Sequence, residues 1–494
     1  MSTSTITDDF KRVLIDDVYE DFYDDATKYY IGIGRSQPWD FPDSDLSPPE
    51  PNPSALEVLD FKDNLQTLKR VSDVSRVAPR YNWTNGGIYS AWNNRFHSNN
   101  LFIAGQDEDD PFYVMTSTNA VYTCIKQGVD VFGQVANSTV PPSITDTNVK
   151  TFETSDGYQW KYLYTVGTND TQKFLTSSYL PTEEVIEILD SAGNSNLDPF
   201  QQDQLAIQLA AVPGEIIGVE IDSAGRNFVD GTYELEFDGV PLMENGVEKT
   251  IVPARAWAKV LNNVLVDVTM REPSTGIWHF GENYYNATVR FKDPVSGDSY
   301  KLRPIIGPVK GLGAQAQIDL NSTALMYNVI LSGTEAGSAI VDNDFRQVGL
   351  IRNPEILDSD GFGAITGQRV LDTEVTLVIS SLKYDVNSVG VSLDLSKITG
   401  DEIIQGSNSN ARAILVGVNV GEDLFYYTQN RETGHRDFEL NEPITIGVSE
   451  STTVLGINKS DLVKQSGDVY YIDSRRPFMR NGEQSEDIKL VIDF

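Results

Sequence analysis

Three histidines, one cysteine and a few short acidic runs are the residues of this 494-residue sequence best equipped for catalysis or metal binding. His97, His279 and His435 stand far apart and form no H-E-x-x-H, the spacing that sets two imidazoles on one helix face. Each reads as a surface or packing residue. Cys124 lies inside the apolar run VYTCIK, where a core thiol is the default. A lone cysteine can build neither an internal disulfide nor a cysteine-rich zinc site. The sequence has no G-x-S-x-G elbow for a serine nucleophile. Asp107, Glu108, Asp109 and Asp110, and the DSDG of residues 358–361, offer hard oxygen ligands for calcium. DSDGFGAITGQR nevertheless lacks the acidic twelfth ligand of a calcium loop. Among 72 aspartates and glutamates, pairs spaced for glycoside hydrolysis can always be found, so their abundance marks no site. No catalytic residue, cofactor site or metal site is assigned.

The stretch YYIGIGRSQPWD, residues 29–40, raises a different chemistry. Gly32 and Gly34 open a G-x-G-x-x-G dinucleotide fingerprint, but Gln37 stands where the third glycine belongs. Pro38 then removes a backbone N–H from the helix start that would have to hold a pyrophosphate. The stretch reads instead as a strand with Tyr29, Ile31 and Ile33 on one face. Its glycines admit another backbone closely, and Gln37-Pro38 ends it.

The formal net charge is −34. Such a field repels a phosphate backbone, whose binding relies on lysine and arginine displacing counterions, so nucleic acid is not the expected partner. Acidic chains are often disordered, yet 22 tyrosines, 21 phenylalanines and 6 tryptophans argue for packed cores. The acidic groups read as a solvated skin that suits basic partners. No apolar run approaches the roughly 18 residues of a membrane span, and MSTSTITDDFKR shows no secretory signal. At this length two or more domains, or a core with a large insertion, are expected.

Two helices are expected near the N-terminus. Phe10, Val13, Leu14, Val18 and Phe22 recur at three- and four-residue steps, so they should share one face. Ser54 followed by Glu57 is a capping-box pattern, and Val58, Phe61, Leu65 and Leu68 carry the second helix towards Val71. Residues 42–53, PDSDLSPPEPNP, read as an extended surface segment between them.

From Ile88 onward the pattern is that of strands. In DGYQWKYLYTV, Tyr158, Trp160, Tyr162 and Tyr164 should point the same way, as core or as a ladder of rings for sugars. Residues 213–455 read as an inserted β-rich block. Within it, residues 215–291 suggest a duplicated module, and residues 400–455 a small barrel-like meander. In EDIKLVIDF, Ile488, Leu490, Ile492 and Phe494 alternate with Lys489, Val491 and Asp493, predicting a paired C-terminal strand, with Tyr29 to Gly34 as its expected partner.

Four motifs occur in order: IGIGRSQPW, VAPRYNW, SDGYQWKYLYTV and GDVYYIDSRRPFMRNGEQSEDIKLVIDF. Together they resemble the baseplate wedge subunit, the product of gene eight, of T-even-like contractile-tailed bacteriophages. The resemblance covers roughly residues 1–200 and 456–494. It implies a non-enzymatic virion protein with a β-sandwich core, a homodimer in the baseplate wedge beside the products of genes six, seven and ten. Gly34, Arg35, Pro38, Trp39, Pro79, Arg80, Trp83, Asp156, Gly157, Tyr158, Trp160, Arg476, Pro477 and Phe494 fall on shared motif positions, as scaffold or contact residues. The expected chain is mainly β, a β-sandwich core split as residues 1–212 and 456–494 around the inserted block. Assembly would take place in the host cytoplasm. The rival expectations are a glycan-binding or glycan-cleaving tail component and a calcium-dependent adhesive module.

Overall fold

The computed structural model describes residues 8–39, 48–51, 54–94, 111–130, 132–191, 193, 195–359, 364–387 and 393–494. His97, the acidic run 107–110, the second half of DSDG and most of residues 42–53 lie outside them. The chain is mainly β with a few helices, as the alternating patterns require. It divides into two compact units. One takes Met1–Asp17, Ser75–Met326 and Asp493–Phe494; the other takes Val18–Val74 and Tyr327–Ile492.

In the second unit, Tyr29–Gly34 is the middle strand of a five-stranded sheet. The order is Val375–Leu377, Leu65–Arg70, Tyr29–Gly34, Asn343–Arg352 and Asp468–Arg480. All six residues of the middle strand are buried. Its glycines answer to close packing. A Cβ on Gly32 would lie 2.6 Å from Leu65 Cδ2, and one on Gly34 would lie 2.4 Å from the Asn64 carbonyl oxygen.

The expected second helix is shorter than its periodicity suggests. Ser54 caps it, accepting from the Glu57 N–H at 3.3 Å, but the helix is Ala55–Asp63 with Asn64 as its C-cap. Leu65 and Leu68 belong to a strand, because that segment finds a ladder partner on each side, Tyr29–Gly34 and Val375–Leu377. Pairing on both edges overrides a helical period carried by only two leucines.

The C-terminal strand is a second correction. Tyr29–Gly34 has Leu65–Arg70 and Asn343–Arg352 as neighbours, so neither edge is left for Ser485–Asp493. That strand lies next to Ala324–Ser332. Its alternation is used all the same, with Glu486, Ile488 and Leu490 buried. Residues 380–458 close into a barrel of six strands, ordered Ser380–Tyr384, Leu424–Thr428, Arg412–Asn419, Ile403–Gly406, Pro443–Ile446 and Glu450–Asn458. Leu382, Ile404, Leu415, Phe425, Ile444 and Val454 fill it.

In the first unit, Tyr113–Met115, Ala120–Lys126, Gln159–Thr165 and Phe152–Glu153 form one sheet. The aromatic ladder on it is broken in phase. Val121 pairs with Tyr164 but Tyr122 pairs with Tyr162, so Leu163 is an extra residue in the register. Tyr158, Trp160 and Tyr162 therefore join a core with Tyr89 and Cys124, while Tyr164 joins another with Tyr113 and Leu180. All four rings are at most 4% exposed, which makes them core and removes the sugar platform.

A second sheet of this unit contains Val264–Thr269, Arg255–Leu261, Gly231–Pro241 and Tyr284–Phe291. Strands from both halves of residues 215–291 thus share one sheet and one core, around Leu235, Ala256, Leu265 and Tyr284. Ile216–Arg226 pairs with Asp298–Ile306, outside that sheet. The first helix, Asp8–Phe22, forms as expected, and Leu14, Val18 and Phe22 are half-buried on it. Ile15 is 1% exposed, whereas Phe10 and Val13 are 53% and 62% exposed. Among the described residues no helix is long and apolar enough to cross a membrane.

Candidate functional site

Four motif residues of the first unit, Trp83, Asp156, Gly157 and Tyr158, meet around one turn. Gly157, with φ of 85°, lets residues 154–158 reverse tightly, and its N–H donates to the Thr154 carbonyl at 2.9 Å. Inside that turn Asp156 gathers donors. Its Oδ2 accepts from Ser138 Oγ at 3.1 Å and from the N–H groups of Thr139 and Val140 at 2.7 and 2.9 Å. Its Oδ1 accepts from Thr154 Oγ1 at 2.5 Å. Partial burial acts to raise the Asp156 carboxyl, but the hydrogen bonds from Thr154, Val140, Thr139 and Ser138 outweigh it and hold the group below the usual carboxylate range.

Trp83 reaches the same place, its Nε1–H donating to Ser138 Oγ at 3.1 Å. Tyr158 donates to the Ala136 carbonyl at 2.7 Å and stacks on Trp160, ring centres 5.8 Å apart. Two motifs that lie about seventy positions apart in sequence thus pin one loop, residues 136–140. Beside them, Arg80 Nη1 donates to the Thr176 carbonyl at 2.7 Å, and Tyr113 donates to that of Pro79 at 2.6 Å. Phe494 ends this set, its N–H donating to the Thr323 carbonyl at 3.2 Å.

In the second unit the strand of the opening motif leads into Arg35, held at φ of 57°, whose N–H donates to the Asn64 carbonyl at 3.1 Å. The Arg35 guanidinium lies over the Trp39 ring, 4.2 Å from its centre. Trp39 Nε1–H donates in turn to the Arg475 carbonyl at 3.2 Å, and Pro38 between them is exposed. Arg476 and Pro477 sit where the ladder slips. Ser474 faces Gln347 and Phe478 faces Phe345, so residues 475–477 oppose Arg346 alone. Proline is tolerated at such an irregularity because no ladder N–H is needed there.

The scattered candidates do not assemble. Cys124 is fully buried, and burial pushes its thiol up, away from the reactive thiolate. His279 Nε2 lies 3.4 Å from Glu272, and Asp358 pairs with Arg369 at 3.5 Å. Among the described residues no three histidine, cysteine, aspartate or glutamate side chains stand close enough to hold a metal ion.

Two charged clusters escaped the sequence reading. In the first unit Lys161, Glu215 and Asp319 are 7%, 4% and 1% exposed. Lys150 pairs with Glu215, and Asp319 Oδ2 accepts from the Gly313 N–H at 2.7 Å. Burial lowers the Lys161 amine and raises Glu215, and it pushes Asp319 up to about 7. In the second unit Asp63, at the end of its helix, lies 3.5 Å from His435 Nε2, and Lys464 Nζ lies 3.4 Å from His435 Nδ1. Asp63 and Lys464 line a cavity of about 30 Å³, and burial raises the former and lowers the latter. Only Lys161 left a trace in sequence, as a charge inside the apolar run QWKYLY. The other partners are brought together by the fold from distant positions.

A cleft of about 240 Å³ in the first unit is lined by Ile125, Ile217, Val266 and Met270, with the Lys126–Asp267 pair, 2.9 Å long, in its wall. Its charges are answered within the chain. The motif side chains behave likewise, since the polar contacts described above end on the protein's own backbone or side chains. No family model and no curated protein matches the chain.

Proposed function

We propose that this protein is a structural component of a phage tail baseplate wedge, the reading that its four ordered motifs suggest. The observation that carries the proposal is the use of those motifs. Asp156, Trp83 and Tyr158 pin one loop, and Arg35, Trp39 and the residues beside Arg476 and Pro477 fix another. Side chains spent on locking turns suit a part whose work is to hold shape under load. A mainly β chain with separate small cores is consistent with that work, as is a carboxylate hub kept ionised by hydrogen bonds.

On this reading the protein acts as a homodimer in the wedge, next to the products of genes six, seven and ten, and performs no catalysis. The buried aromatic ladder takes away the observation that favoured a glycan-handling role. Gold-labelled antibody against this chain, applied to purified tails, tests the proposal. Labelling confined to the end of the tail distal to the capsid supports it. Labelling along fibres, or none on intact particles, counts against it.

A further inference from the structure

Residues 183–190, EEVIEILD, run beside the helix Pro199–Leu209 without joining a sheet through Ile186 and Glu187. One side of their backbone is held by glutamines of that helix. Gln204 Nε2 donates to the Glu183 carbonyl at 2.7 Å. Gln208 brackets Val185, accepting from its N–H at 2.9 Å and donating to its carbonyl at 3.0 Å. Farther on, the Ile188 N–H reaches Asn196 Oδ1 at 3.4 Å. Between these anchors the backbone groups of Ile186 and Glu187 make no hydrogen bond among the described residues. That leaves a short open edge.

The same segment shows aliphatic side chains to water. Ile186, Ile188 and Leu189 are 72%, 64% and 57% exposed, and Leu209, next to Gln208, is 78% exposed. Single exposed aliphatic residues are ordinary, but several together along an unpaired backbone mark a place where another chain binds. Charge then selects the occupant. No lysine or arginine occurs between Lys173 and Arg226, while Glu183, Glu184, Glu187 and Asp190 stand within the segment itself. Glu183 has Arg76 as a partner at 3.6 Å, and Glu187 has no cation among the described residues.

We propose that this segment receives an extended stretch of a partner protein in which aliphatic residues alternate with lysine or arginine. Its backbone adds to the open edge at Ile186 and Glu187, its aliphatic groups cover Ile186 and Ile188, and a cation faces Glu187. A second copy of this chain is a poor occupant, because two such segments carry the same sign of charge. The site does not depend on the tail reading.

The test uses the full chain and a fluorescent heptapeptide alternating lysine and valine, with a lysine–serine heptapeptide of equal charge as control. Binding is read by anisotropy at physiological salt, and amide exchange by mass spectrometry. The lysine–valine peptide should bind at least roughly tenfold more tightly than the control and slow exchange at Ile186 and Glu187. Ile186→Ser with Ile188→Ser should abolish that advantage, and Ile186→Val with Ile188→Val should keep it. Both positions are exposed, so an unchanged urea midpoint identifies the serine variant as folded. Equal binding of the two peptides, or an advantage that survives the serine variant, overturns the proposal. Self-association of the wild type that the serine variant abolishes also overturns it, in favour of a second copy.

Discussion

Arg480 and Glu486 form an ion pair 2.8 Å long in which the side chains are only 1% and 3% exposed. Arg480 also donates to the carbonyls of Ile340 and Gly333, each at 2.8 Å. One guanidinium thereby ties the last strand but one to both ends of the connection between Ala324–Ser332 and Asn343–Arg352. Removing one partner from such a pair leaves the other charged and buried, at a cost of about 3–5 kcal/mol. Arg480→Ala should therefore lower the urea midpoint of this unit steeply. Arg480→Met with Glu486→Leu should recover most of the loss. A single variant as stable as the wild type would show that the pair carries little.

Asp319 makes the stability of the first unit depend on pH. Burial raises its folded pKa to about 7, above an unfolded value near 3.9. The folded state therefore holds the proton more firmly than the unfolded state. The stabilising contribution is complete below about pH 4 and is lost as pH rises through about 7. Asp319→Asn keeps the acceptor for the Gly313 N–H and removes the titration. Urea midpoints of wild type and variant should converge near pH 4 and part as pH rises, the variant being the more stable by roughly 2–4 kcal/mol at pH 8. Parallel curves for the two proteins would exclude this role.

The Asp156 hub should be the most sensitive point of the four ordered motifs. Asp156→Ala strands Ser138, Thr139, Val140 and Thr154, whose donors it now receives. With charge-assisted bonds lost, the cost should be about 2–4 kcal/mol. Asp156→Asn should lie between, since it retains one acceptor. Tryptophan fluorescence reports the change directly through Trp83, which donates to Ser138. An Asp156→Ala protein with the wild-type midpoint and spectrum would refute the hub.

The sequence was most legible where one face of a strand is buried and period two is unbroken. Tyr29–Gly34 is a strand, and its glycines are demanded by Asn64 and Leu65, as close approach implies. Legibility failed where a register slip or a pairing choice decides. Leu163 reverses the phase of the aromatic ladder, and nothing in YLYT announces it. Leu65 and Leu68 fit a helix and a strand equally well until partners on both edges choose the strand. The partner of the C-terminal strand was out of reach for the same reason, because alternation states a face but not a neighbour. The pair of Asp63 with His435 joins residues that are remote in sequence, so no spacing rule could expose it.

The proposed place of this chain in a tail baseplate is tested most directly by cross-linking mass spectrometry of intact tails, with a lysine- and carboxylate-reactive reagent. Cross-links from this chain should run to a second copy and to at least two other wedge proteins, and should persist when free protein is washed away. A chain that is absent from washed particles, or cross-linked only to fibre or capsid proteins, would contradict the claim.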